Sequence, residues 1–192
     1  MKKKIALLGV LSVATASVAL SFFAFQGQAS ILESEATVTS YTITIHPTDI
    51  TSATTPETGT ATLKTDQLKN DITFAYKNVN YTDTYDGGLY LQGNGYGKIY
   101  NEIGNEVRSI ESITLKAAND AFTVKWGFKN ELNDSIEYTN YEWKNVAPEG
   151  TTFDLNGDKP NYFSIESGNT WDDLLYEIVI TYDINCVEGT NN

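Results

Sequence analysis

Glu177-Ile178-Val179-Ile180-Thr181-Tyr182-Asp183-Ile184 decides the fold. Ile178, Ile180, Tyr182 and Ile184 fall on one side of the chain, and Glu177, Val179, Thr181 and Asp183 fall on the other. That period of two is what an extended strand imposes on side-chain direction. Upstream, Phe122, Val124 and Trp126 alternate with Thr123 and Lys125, Ile113 and Leu115 with Thr114 and Lys116, and Tyr41, Ile43 and Ile45 with Thr42, Thr44 and His46. Shorter runs at Thr60–Lys64, Ile72–Tyr76, Gly88–Leu91, Gly97–Tyr100, Thr152–Leu155 and Tyr162–Ile165 read as further strands. Threonine and asparagine are abundant and alanine is scarce, which suits strands and turns.

Turn signals separate these runs. Gly93-Asn94-Gly95 and Asn156-Gly157-Asp158 are two of them, and Asn119-Asp120 between two alternating runs predicts a hairpin. Thr48–Thr60, with Pro56 and Gly59, reads as a loop, and Lys129–Gly150 as a polar connection. No stretch after the N-terminal segment sustains a helical apolar period for three turns. The expected fold is all-β, an antiparallel two-sheet β-sandwich of jelly-roll type, in one domain over residues 41–187.

The N-terminus has a different logic. Lys2, Lys3 and Lys4 precede an uncharged run from Ile5 to Phe25, and Gly27 and Ala29 stand at the small-residue places of a signal-peptidase site. The expectation is a signal peptide over 1–29, a lead-in over 30–40 and a tail over 188–192, although a run of this length could also stay as an anchor. No cysteine stands directly after the apolar run, and the C-terminus carries neither a hydrophobic tail nor a Leu-Pro-x-Thr-Gly motif. The expected product is secreted or held at the cell surface by non-covalent contacts, with no membrane association after cleavage.

Charge narrows the partners. The chain has 13 basic and 25 acidic residues, a net charge of −12, and loss of the lysine-led segment makes it −15. Such a chain has no general positive field for nucleic acid or an anionic membrane. Cys186 is the sole cysteine and His46 the sole histidine, so neither a disulfide framework nor a multi-histidine metal site is expected. His46 lies at the end of the first strand with no acidic neighbour in sequence, which makes it a poor partner for a nucleophile.

Acids alone do not name an activity. Glycoside hydrolysis needs two carboxyls about 5 to 10 Å apart, and Glu111, Glu142, Glu166, Asp172 and Asp173 lie near aromatic residues, but in no recognisable motif. Gly93, Gly95 and Gly97 lack the helix N-terminus that a phosphate loop needs. Asp154-Leu155-Asn156-Gly157-Asp158 places the oxygens of Asp154, Asn156 and Asp158 at i, i+2 and i+4, the spacing of calcium loops. It lacks the later glycine and glutamate of an EF-hand, and a plain Asn-Gly turn accounts for the same residues.

Aromatics point to binding instead. Trp126 continues the apolar face of its strand and belongs to the core. Trp143 alternates with Tyr141 in a polar stretch, and Trp171 sits in the turn-rich Ser167–Asp173 segment beside Asp172. Exposed large rings mark interaction surfaces.

Gly87-Gly88-Leu89-Tyr90-Leu91-Gln92, Gly97-Lys98-Ile99-Tyr100-Asn101, Ile110-Glu111-Ser112-Ile113-Thr114-Leu115, Asn161–Gly168 and Leu175–Tyr182 together resemble secreted β-sandwich modules of Firmicutes and Mollicutes surface proteins. The resemblance covers residues 41–184 and rests on strand and turn positions, so it carries over no functional residue. It implies an architecture similar to jelly-roll carbohydrate-binding modules, some of which hold a structural calcium. The function expected is non-catalytic binding of an extracellular glycan or surface polymer, with Tyr141, Trp143, Trp171 and Asp172 as contacts and no cofactor beyond a structural calcium. A structural subunit of a surface matrix or fibre is the alternative, and a small glycan hydrolase the third.

Overall fold

The structure, a computed structural model, describes residues 40–63, 72–84, 87–101, 109–129, 135–155 and 157–183. The signal segment, most of the lead-in, Cys186 and the tail lie outside the described residues. In chain order the elements are β1 (Ser40–Ile45), α1 (Pro47–Ile50), β2 (Glu57–Leu63), β3 (Ile72–Thr82), β4 (Gly88–Leu91), β5 (Lys98–Asn101), β6 (Ile110–Ala117), β7 (Asp120–Lys129), β8 (Ile136–Val146), β9 (Thr151–Asp154), β10 (Tyr162–Ser167) and β11 (Asp173–Asp183). Strands take 68 % of the described residues and every pairing is antiparallel, so the protein is all-β.

Hydrogen bonding runs through one continuous sheet of 11 strands rather than two separate ones, in the order β8-β7-β10-β5-β3-β4-β11-β6-β9, with β1 added to β11 and β2 to β3. The sheet curls until it is nearly closed, like a barrel. Its corner is built at β3. β5 pairs with Phe74–Lys77 and β4 with Val79–Thr82, so the two short strands lie end to end along one edge of β3. Between them Asn78 takes a left-handed backbone (φ 52°), and its carbonyl accepts the Gln92 N–H at 3.1 Å. The chain then loops out from β4 and returns through Gly97, whose N–H reaches the Gln92 carbonyl at 2.7 Å. A Cβ at Gly97 would stand 2.1 Å from the Gln92 nitrogen, so only glycine permits this closure. Beyond the corner, β4 pairs with Asp173–Leu175 of β11, which brings β1, β6 and β9 into the sheet.

Three sequence expectations change here. The Asn119-Asp120 turn exists, with Asn119 at φ 65°, but the strands it joins do not pair with each other. β6 pairs with β11 and β9, whereas β7 pairs with β10 and β8. The turn is pinned to β11 instead, through Leu174 N–H donating to Asp120 Oδ2 at 2.7 Å. Thr48–Thr60 is not all loop: Pro47 opens one helical turn, closed where Asp49 Oδ2 accepts the His46 N–H at 2.8 Å, and β2 begins at Glu57. The polar connection Lys129–Gly150 contains β8, one of the longest strands at 11 residues. β8 is an edge strand exposed along most of its length, so the apolar alternation that marks a half-buried strand is missing from it.

The inward positions behave as the alternation predicts. Phe74, Phe163, Ile165, Val124, Ile113, Leu115, Ile178 and Ile180 are buried in one cluster, with the Phe74 and Phe163 rings 6.1 Å apart and tilted. Each such side chain contributes about 1.5–3 kcal/mol through apolar burial. Tyr182 differs in kind: its ring fills the core, but its hydroxyl, like that of buried Tyr162, has no hydrogen-bond partner, and burial pushes the Tyr182 pKa up. Tyr182→Phe removes that unsatisfied group and is expected to raise stability by about 1 kcal/mol. A higher urea midpoint with an unchanged slope is the expected reading.

Candidate functional site

The side chains of β2, β3, β5, β10, β7 and β8 that point away from the core form two cross-strand rows. Register aligns Thr58, Lys77, Lys98, Glu166, Thr123 and Trp143 in the first row. Thr60, Ala75, Tyr100, Ser164, Lys125 and Tyr141 make the second. Their neighbours in sequence, Tyr76, Ile99, Ile165 and Val124, are buried on the inner face. At ~4.8 Å per strand, the rows span a face about 24 Å wide.

The centre of this face is a polar network. Lys125 Nζ lies 2.7 Å from Glu166 Oε2, and Ser164 Oγ donates to Glu166 Oε1 at 3.1 Å. Tyr138 joins it from β8. After an irregularity in the β7–β8 pairing, Tyr138 comes opposite Gly127, and its hydroxyl is hydrogen-bonded to Ser164. Burial pushes the Tyr138 phenol up to about 12, with the charge of Glu166 adding to the shift. Lys98 Nζ stands over the Tyr100 ring, 5.9 Å from its centre.

Two turns close one end of the face. Trp143 Nε1 donates to the Gly168 carbonyl at 3.3 Å, which ties the β8 indole to the Ser167–Asp172 turn. That turn packs against Gly93–Asn94: Asn94 N–H donates to the Asn169 carbonyl at 2.6 Å, and Gly93 N–H donates to Asp172 Oδ1 at 3.0 Å. Gly95 passes beside Glu166, whose Oε2 lies 3.7 Å from where a Cβ would stand. Asp173 anchors the turn from below. Fully buried, its carboxylate accepts Ser167 Oγ–H, the N–H groups of Gly168 and Asn169, and the Asn169 side-chain amide. Beside it, burial raises the Asp120 carboxyl above the usual range, opposed by the Leu174 N–H and reinforced by the charge of Asp173.

Exposure singles the face out. Six large apolar or aromatic side chains are exposed among the described residues, and five of them, Tyr138, Tyr141, Trp143, Tyr96 and Trp171, lie on this face or in the turns at its end. Trp143 is 52 %, Tyr141 75 % and Trp171 65 % exposed. Exposed rings grouped on one face, unlike rings scattered singly, mark a candidate interaction surface.

Tyr141 and Trp143 thus share the outer side of β8, and Trp171 and Asp172 stand in the adjoining turn, with one oxygen of Asp172 holding Gly93. The Asp154–Asp158 segment is elsewhere. Asp158 Oδ2 accepts both the Trp126 indole N–H and the Asn140 amide at 2.7 Å, on the opposite side of β8 from Tyr141. Asp154 ends β9, and Asn156 lies outside the described residues. No group of three metal-binding acids, histidines or cysteines occurs among the described residues.

The acids weighed for hydrolysis are dispersed. Glu111 is on β6, Glu142 pairs with Lys144 at 2.9 Å on the inward side of β8, Asp173 is buried, and Glu166 is engaged by Lys125. His46 stands at the exposed start of α1, its Nδ1 3.9 Å from Glu177. Tyr138 stands near Tyr141 and Trp143 in sequence, but Tyr100, Lys98, Lys77, Lys125 and Ser164 are not singled out by it. Their period-two spacing as Lys98-x-Tyr100 and Ser164-x-Glu166 was visible, but the register that lines them up across strands was not.

No protein-family model matches the chain, and no curated protein matches it with significance.

Proposed function

We propose that the protein is an exported, non-catalytic binding module whose outer sheet face takes an extracellular glycan. The observation that carries the reading is the grouping of Tyr138, Tyr141 and Trp143 on one exposed face, with Trp171 in the turn at its end. Sugar rings present apolar faces and hydroxyl edges together, and exposed aromatic rings beside lysine and carboxylate groups suit both. Asp172 keeps an oxygen beyond the one that holds Gly93, and offers it as a hydrogen-bond acceptor beside Trp171. The lysine-led N-terminal segment supports export, and the jelly-roll-like resemblance supports the ligand class. The two-layer reading belongs to the same proposal, with β2-β3-β5-β10-β7-β8 and β1-β11-β6-β9 as layers joined through β4.

Glycan-array or cell-wall pulldown with the wild type, Trp143→Ala and Trp171→Ala tests the reading. Aromatic anchors at interfaces are worth about 2 kcal/mol or more, so Trp143→Ala is expected to weaken retention more than tenfold. Trp171→Ala, at the rim, is expected to weaken it less. Absence of retention by the wild type, or retention in both variants equal to that of the wild type, refutes the proposal.

One observation favours the second reading, a subunit of a surface matrix. β8 offers 11 residues of strand edge. Edge-to-edge assembly through it would make the protein run as multimers in size exclusion, whereas a persistent monomer at high concentration removes that reading.

A further inference from the structure

We infer that the glycan taken by this face is acidic, a polysaccharide whose sugar units carry carboxylates, and that Lys77 and Lys98 seat those carboxylates. The inference rests on the proposed glycan reading and deepens it.

Lys77 and Lys98 are directly opposite each other on β3 and β5. Directly opposed side chains on one face have Cβ atoms only ~5 Å apart, and like charges there repel and destabilise the sheet. The arrangement is conspicuous because the chain has 25 acids for 13 bases. Elsewhere Lys116, Lys125, Lys144 and Lys159 each reach a carboxylate, at 2.7, 2.7, 2.9 and 3.5 Å. Lys77 and Lys98 reach none among the described residues. Glu166, directly opposite Lys98, has both oxygens engaged, one by Lys125 and one by Ser164. Two lysines therefore rise from directly opposed positions with no carboxylate partner among the described residues, on a face that also presents Tyr141, Trp143 and Tyr100, over whose ring Lys98 Nζ stands. A single carboxylate placed between them would turn the repulsion into two charge-assisted contacts.

A carboxylated sugar fits the whole face and not only the pair. It brings a ring for the aromatic side chains and an anion for the lysines in the same unit. The acidic whole molecule does not forbid this, because charges beyond about 8 Å are largely screened at physiological ionic strength. Within the two rows stand Lys77, Lys98 and Lys125 against Glu166, with Asp172 at the end of the face, so the middle of the face carries a surplus of positive charge.

The test is calorimetric titration of the full chain with an oligogalacturonate and with an uncharged cello-oligosaccharide of equal length. Wild type, Lys77→Gln/Lys98→Gln and Trp143→Ala are compared at two salt concentrations. The expected result is tighter binding of the galacturonate, weakened by added salt, and weakened about tenfold or more by the double lysine substitution. The melting temperature of that variant should hold or rise, since a repulsion is removed. Equal binding of both sugars, indifferent to the lysine substitutions and lost in Trp143→Ala, overturns the acidic ligand and leaves the glycan reading standing. Binding of neither sugar by the wild type overturns the inference.

Discussion

Asp173→Ala is expected to cost about 2–5 kcal/mol of folding stability, because it removes a buried acceptor on which several donors converge. The carboxylate is fully buried and receives four donors, from Ser167, Gly168 and Asn169. Alanine leaves the Asn169 N–H and side-chain amide without that acceptor, whereas the Gly168 N–H keeps the Ala121 carbonyl at 2.9 Å and Ser167 Oγ keeps the Asn169 carbonyl at 3.4 Å. Each buried group left unsatisfied costs about 1–3 kcal/mol before relaxation. With a slope near 2 kcal/mol/M, the urea midpoint should fall by about 2 M. Asp173→Asn retains one acceptor oxygen and should fall less. Ligand binding should weaken along with stability, because the Gly168 carbonyl that receives the Trp143 indole N–H belongs to the same turn. A midpoint within experimental error of wild type would mean that water replaces the carboxylate, and that the turn needs no internal anchor.

Gly127→Ala is the second large effect. A Cβ at this position would stand 1.8 Å from the Glu137 carbonyl oxygen and 2.8 Å from Tyr138 Cα. Both obstacles are backbone of β8, so no rotamer change relieves them. The strand has to move away from β7, at the point where the pairing already shifts between Trp126 and Gly127. Overpacking of this kind costs about 1–3 kcal/mol and occasionally more, and the upper part of that range is expected here. The more specific signature is local: amides of Ile136–Val146 should lose hydrogen-exchange protection while β3 and β11 keep theirs. Because β8 carries Tyr138, Tyr141 and Trp143, binding should fall further than global stability alone accounts for. Uniform loss of protection across the sheet would instead mean that β8 and the core open as one unit.

The two variants also show where sequence and structure part company. Strands with one buried face, such as Phe122–Trp126 and Ile178–Tyr182, announce themselves because the core selects every second residue. β8 does not, since water lies on most of it, and Tyr141 and Trp143 stood out by size rather than by pattern. Asp173 was visible as one acid among many, but nothing local to it says that Ser167 and Asn169 fold back onto its oxygens. Pairing is the least legible level. Asn119-Asp120 is good hairpin chemistry, yet the strands on either side go to different partners, because Asp120 is held by the Leu174 N–H of β11. The face itself is a product of register: Lys77, Lys98, Glu166, Thr123 and Trp143 come from five separate segments, and only antiparallel alignment sets them in a row. The Asp154–Asp158 spacing is equally ambiguous in sequence, and in the fold Asp158 serves Trp126 and Asn140.

Retention of the full chain on an immobilised glycan array, with wild type beside a Tyr141→Ala/Trp143→Ala double variant, tests the central claim most directly. Both side chains are more than half exposed, so the variant should stay folded, with a melting temperature lowered only by loss of the Trp143–Gly168 hydrogen bond. The account predicts that the wild type is retained and the variant is not. Retention undiminished in the folded double variant would contradict it.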